Sequence, residues 1–98
     1  ERYVTGVNPH GVTSADFNKD GNLDLAVSNR TAGGVVIFLG NGNGKFEKKH
    51  SIINGQDGIA IANDDFDKDG ILDLALVSAS SHSLIFYRGD GKGNFEVW

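Results

Sequence analysis

Two stretches of this 98-residue chain place oxygen-bearing side chains at alternate positions. Asp16, Asn18, Asp20 and Asp24 stand at positions 1, 3, 5 and 9 of the first stretch. Asp65, Asp67, Asp69 and Asp73 hold the same positions in the second, and Gly21 and Gly70 fill position 6. Alternate residues of a tightly curled loop aim their oxygens at one centre, while the glycine permits a sharp turn without a Cβ clash. Such a loop suits a hard cation. Calcium takes six to eight oxygens at about 2.3–2.6 Å, and position 7 would supply only a main-chain carbonyl. Asn22 and Ile71 occupy that position, so their side chains are free to differ. The expectation is two calcium sites, one in loop 16–24 and one in loop 65–73. Four carboxylates against three and an amide predict that the second site binds more tightly.

Two rival readings compete with calcium. An EF-hand loop opens in the same way but needs a bidentate Glu at position 12 and flanking helices. Val27 and Leu76 stand there, and both flanks read as strands. A solvated acidic turn is the other rival, because Asp, Asn and Gly are common turn residues. Two copies with the same positions filled favour the cation, since crowded carboxylates repel one another strongly at intermediate dielectric.

The loops belong to a longer repeat. DFNKDGNLDLA from Asp16 and DFDKDGILDLA from Asp65 are 49 residues apart. The offset holds forward, where Gly40, Gly42, Gly44, Phe46 and Glu47 reappear as Gly89, Gly91, Gly93, Phe95 and Glu96. It also holds backward, pairing Gly6 with Gly55 and Val12 with Ile61. The chain divides into repeats 1–49 and 50–98. In the first, strands are expected at 10–15, at 23–28 with half-buried alternation, at 35–39 buried on both faces, and at 46–53. The second should match with 58–63, 72–77, 84–88 and 95 onward. Asn-Gly pairs in GNGNGK predict a tight hairpin before the fourth strand. No segment carries a 3.6-residue period, so no helix is expected.

Four short antiparallel strands in each 49-residue unit is the spacing of a β-propeller blade. The fold expected is all-β: two four-stranded antiparallel blades, part of a six- or seven-bladed ring. A lone blade cannot bury both faces of its sheet, and two cannot close a circle. By the offset, Trp98 aligns with Lys49 and Glu1 with His50, which splits a fourth strand between the two ends. Completion is expected from other copies, with a trimer favoured, or from flanking sequence.

With both loops and both hairpins, GNGNGKF and GDGKGNF, the chain resembles the FG-GAP or VCBS repeat of integrin alpha-subunit propellers and many secreted bacterial and fungal proteins. The resemblance spans the whole chain. It implies calcium between the first and second strands of each blade, a secreted or cell-surface location, and a role in adhesion or ligand binding. The ligands it implies are Asp16, Asn18, Asp20, Asn22 through its main chain, and Asp24. In the second repeat they are Asp65, Asp67, Asp69, Ile71 through its main chain, and Asp73. The departure is the blade count, two where propellers of this kind carry several.

Other features narrow the function. A net charge of −4 argues against a phosphate-backbone partner, so no nucleic acid is expected. Seven of the 13 acidic residues lie in the two loops, so calcium at both would neutralise the chain. There is no Cys for zinc or disulfides, and no apolar run exceeds VVIFL at 35–39, so no membrane span or targeting segment is read. His10, His50 and His82 lack zinc spacing, and the Ser-rich 78–83 stretch lacks a nucleophile motif; the chain is not read as an enzyme. Arg88-Gly89-Asp90 spells an integrin-recognition tripeptide but reads first as a strand-to-hairpin junction. Asn29-Arg30-Thr31 fits a glycosylation acceptor in a loop before the third strand. The alternative function is a lectin assembled from two-blade chains, with Tyr3, Tyr87 and Trp98 as sugar-stacking candidates and Phe46 and Phe95 as core anchors.

Overall fold

A computed structural model describes residues 2–31, 34–52 and 57–98 as eight strands. They are β1 (Val7–Ala15), β2 (Asp24–Thr31), β3 (Val35–Gly40), β4 (Phe46–Ile52), β5 (Gly58–Asp64), β6 (Asp73–Ser78), β7 (Ser83–Gly89) and β8 (Phe95–Val97). Two four-stranded antiparallel sheets result, in the orders β1-β2-β3-β4 and β5-β6-β7-β8. Among the described residues there is no helix, and hence none long and apolar enough to cross a membrane. The sheets stack as an open pair and do not close a ring. Expected positions Glu1, Ile53 and Gly55 lie outside the described residues.

The two sheets repeat one another in detail. Ala26 faces Ile37 across β2 and β3, as Ala75 faces Phe86 across β6 and β7. Both opening strands shift register at equivalent places, between Pro9 and Gly11 and between Gly58 and Ala60. Proline cannot donate to a ladder, so a bulge on an edge strand is where it fits. That bulge lets β1 begin at Val7, before the expected strand at 10–15.

Three expectations need correction. β2 starts at Asp24 and is buried on both faces, whereas an alternating half-buried strand was expected. Ala26 and Ser28 face the second sheet, while Leu25 and Val27 join an apolar cluster on the opposite face. Leu23 is left exposed in the loop. The hairpins are five-residue loops, 41–45 and 90–94, in place of tight Asn-Gly turns. Only the glycines adopt positive φ there (Gly42, Gly44, Gly91 and Gly93), because they alone pay no Cβ penalty. Asn41 Oδ1 instead accepts hydrogen bonds from the Asn43 and Lys45 main-chain nitrogens, and Asp90 Oδ1 from those of Lys92 and Asn94.

The main core lies between the sheets and contains Phe17, Ala26, Val35, Ile37, Leu74, Leu76, Tyr87 and Phe95. Phe17 and Phe95 meet edge to face across it, with ring centroids 5.4 Å apart. By the 49-residue offset, Leu74, Leu76 and Tyr87 correspond to Leu25, Val27 and Phe38, which lie on the outer face of the first sheet. The contact is therefore heterologous: one face of the first repeat meets the opposite face of the second. Tyr3 covers part of the first sheet's outer face, its ring 6.0 Å from Phe38 and 5.9 Å from Phe46.

Polar contacts fasten the seam. Arg30 donates bidentately to Asp57 at 2.7 and 2.9 Å, and Asn63 Nδ2 donates to Thr13 Oγ1 at 2.6 Å. The Arg30 hydrogen bonds hold the Asp57 carboxyl below its usual range, against the opposing effect of partial burial and with help from the Arg30 and His10 charges. A depressed folded value means that the bridge stabilises above the unfolded carboxyl pKa of about 3.9. That contribution is lost as pH falls through the folded value. Asp57→Asn should melt below wild type at neutral pH and converge with it once the pH has fallen through the folded value. Melting curves across that range check the sign, and a gap that stays constant would contradict it.

Candidate metal centres

Each acidic loop joins the first two strands of its sheet. The first curls because Lys19 and Gly21 adopt positive φ, and the second because Lys68 and Gly70 do. The lysines were not foreseen; the left-handed region is rare for residues with a Cβ and carries a steric cost. What offsets that cost is a set of short hydrogen bonds to carboxylates. Asp16 accepts from Asp20 N at 3.1 Å and Gly21 N at 2.8 Å, and Asp20 accepts from Asn22 N at 2.9 Å. Asp65 and Asp69 repeat these contacts at 3.1, 2.8 and 2.9 Å.

Asp24 and Asp73 close the loops from below and are fully buried. Asp24 Oδ2 accepts from Phe17 N and Asp24 Oδ1 from Gly40 N, both at 2.9 Å. Asp73 does the same with Phe66 N at 3.2 Å and Gly89 N at 3.1 Å. Each carboxylate thus clips its loop to the far end of the third strand. A buried charge is tolerable only when hydrogen-bonded or paired, and each of these is bonded at both oxygens. Gly40 and Gly89 permit the approach, since a Cβ would strike the Leu23 or Leu72 carbonyl oxygen.

These loops gather their oxygens. Carboxylate atoms of Asp16, Asp20 and Asp24 lie within 4.8 Å of one another, as do those of Asp65, Asp67, Asp69 and Asp73. Asn18 joins the first group, its Nδ2 donating to Asp20 Oδ2 at 3.3 Å. Its Oδ1 is shut off from solvent and accepts no hydrogen bond. A buried carbonyl oxygen without a partner is costly, and a cation at the loop centre would satisfy it. The residues present therefore fit a hard cation held by oxygens. The Asn22 side chain leans on Gly42 and that of Ile71 lies near Gly91, so position 7 turns its side chain to the hairpin in both repeats.

Local electrostatics differ along each loop. The Asn22 N–H holds Asp20 below the ordinary carboxyl range, outweighing partial burial. Partial burial also works against Asp65, yet the N–H groups of Gly70 and Asp69 bring it below that range. Burial pushes Asp67 up, aided by Asp69, Asp73 and Asp65. Asp67 Oδ2 also lies 3.7 Å from Arg88 Nη2, and that guanidinium sits 4.6 Å from the Trp98 ring centroid.

Other candidate residues fall elsewhere. In Arg88-Gly89-Asp90, Arg88 leans on Trp98 and Asp67, while Asp90 is occupied by its hairpin, including a 2.9 Å bond from Asn94 Nδ2. Asn29 is buried within β2, not in a loop, and its Nδ2 donates to Thr5 O at 3.1 Å. The nitrogen that glycosylation would modify is therefore held inside the fold. Tyr87 is fully buried between the sheets and cannot serve as a sugar plate, whereas Trp98 and Tyr3 are exposed. His50 Nε2 lies 3.3 Å from Phe95 O, far along the chain from the exposed His10 and His82.

Residues 16–76, more than half of the chain, match the family model described as an FG-GAP-like repeat. No curated protein and no solved structure matches the chain.

The clip and the rim of each loop should separate on substitution. Asp24→Ala strands two buried N–H groups, each costing about 1–3 kcal/mol. Urea unfolding in chelator should show that loss, while Asp16→Ala, whose partners are exposed, should lose less than about 1 kcal/mol. Equal losses would contradict the clip.

Proposed function

This chain belongs to the family of FG-GAP-like repeats, and from that premise we propose that it is a calcium-binding propeller module working outside the cell. Calcium rigidifies the loops at 16–24 and 65–73, and the blades present a surface for adhesion or ligand binding. The metal performs no chemistry and the module is not an enzyme. Asn18 Oδ1 carries this reading: it is a buried oxygen with no donor, at a ligand position beside three carboxylates. Extracellular modules can use weak sites, in the range of about 10⁻⁴–10⁻³ M, because calcium outside the cell is abundant enough to fill them. The ring is completed by further repeats, with three chains making six blades as the favoured arrangement.

The lectin reading is second. Trp98 keeps it open, being exposed and flanked by Phe86 at 6.2 Å between ring centroids. The burial of Tyr87 takes one of its candidates away. Specific retention on a glycan array would favour it over a protein-binding module.

Calcium should raise the melting temperature and excess chelator should lower it again. A site filled at a hundred times its Kd adds about 2.7 kcal/mol. For a domain of this size that is a rise of about 10 °C or more. Identical melts with calcium and with chelator would defeat the metal assignment. Titration calorimetry should resolve two sites, with the 65–73 loop tighter. Asn18→Asp should strengthen the first site and Asp67→Asn should weaken the second.

A further inference from the structure

Among the positions that offer a side-chain oxygen at 1, 3, 5 and 9, the two acidic loops differ at one. Asn18 in the first is Asp67 in the second, and the other three are aspartate in both. The change removes a donor. Asn18 Nδ2 donates to Asp20 Oδ2 at 3.3 Å. Asp67 instead adds a carboxylate to Asp65, Asp69 and Asp73, with an oxygen of each within 4.8 Å of the others. Carboxylates crowded in this way repel unless a positive charge stands beside them.

That charge comes from β7. Arg88 Nη2 lies 3.7 Å from Asp67 Oδ2, with the two side chains 49% and 25% exposed, so water screens the pair only in part. The guanidinium also sits 4.6 Å from the Trp98 ring centroid, a cation–π contact. Trp98 is itself seated against Phe86, ring centroids 6.2 Å apart, on the outer apolar face of the second sheet. Arg88 is thus held beside the loop by more than the carboxylate it meets.

The 49-residue offset puts Leu39 where Arg88 stands. Leu39 borders the first loop too, lining a cavity of about 300 Å³ with Asn18 and Asp20. An amide with a leucine in one repeat is therefore matched by a carboxylate with an arginine in the other. The cross-strand glutamate does not explain the exchange, because Glu47 faces Leu39 just as Glu96 faces Arg88. Charge does explain it. Three carboxylates against a divalent cation leave one negative charge, and four leave two; the guanidinium brings the second loop back to one.

We infer that Arg88 is the resident counter-ion of the second acidic loop: through Asp67 it steadies the metal-free loop, and by the same measure it weakens that loop's hold on calcium. The inference rests on the metal reading above and adds which residue sets the difference between the two sites. Linkage requires the trade, since a contact that favours the metal-free form is subtracted from binding. The geometry suits a partner that yields. At 3.7 Å the pair is looser than the Arg30–Asp57 bridge at 2.7 Å, so a cation can draw Asp67 away from it. The guanidinium keeps its charge at every ordinary pH, which makes the counter-ion permanent. The second loop remains the tighter site, by a smaller margin than its fourth carboxylate alone would give.

Calorimetry in an Asp16→Ala background, which removes a first-loop ligand, reads calcium binding at the second loop. There Arg88→Leu, which installs the first repeat's residue, should tighten binding about threefold, within what a part-exposed ion pair contributes. The same change should lower the melting temperature more in chelator than in calcium. With Asp67→Asn added, Arg88→Leu should leave the affinity unchanged and shift both melts equally, because only the Trp98 contact remains to be lost. Binding that is unchanged or weaker in Arg88→Leu would overturn the counter-ion and leave the metal reading standing. A gain in affinity that survives Asp67→Asn would overturn the pairing with Asp67. Absence of calcium binding at the second loop, with or without Arg88, would overturn the metal assignment there and this inference with it.

Discussion

A carboxylate with both oxygens taken by main-chain nitrogens holds each half of this molecule to its shape. Asp24 ties the start of the acidic loop, through Phe17 N, to the last residue of β3, through Gly40 N. Asp73 ties Phe66 N to Gly89 N in the same way. Strands, loop and hairpin meet at that one buried group. The loop mouth is consequently shaped by the sheet itself. The close approach of Gly40 to Leu23 and of Gly89 to Leu72 belongs to the same clip, because a side chain there would push the strand away from the carboxylate.

The parts of this arrangement that the sequence makes legible are those written locally and twice. Alternate oxygens in a nine-residue window, strand patterns and turn residues all speak through near neighbours, and repetition removes much of the ambiguity of a single acidic turn. The parts that stay hidden depend on distant partners. The clip from Asp24 to Gly40 spans 16 residues and has no local signature. Both-face burial of β2 follows from where the second sheet lies, which alternation within β2 cannot reveal. Asn29 has the composition of a loop motif, yet sheet pairing carries β2 through Thr31. Lys19 and Lys68 look like solvated loop residues, and only the network around Asp16 and Asp65 explains their backbone.

Identical repeats do not make identical environments. The second loop has one more carboxylate, and Arg88 stands beside Asp67 where the first repeat has Leu39. The guanidinium beside Asp67 compensates part of the charge that the extra carboxylate adds. The aromatic contact of Arg88 with Trp98 further joins that loop to the outer apolar face, a link with no counterpart in the first repeat.

Among the described residues every strand pairs only with its neighbours in the chain. Loop closure is therefore brief and local within each sheet, and contact order stays low for an all-β architecture. Each repeat can zip its own ladder before the seam forms. The same wiring bears on descent. Copying a 49-residue frame that runs from the start of one sheet to the start of the next keeps its four strands together and adds one seam, so the number of repeats can change by duplication without a new fold having to be found.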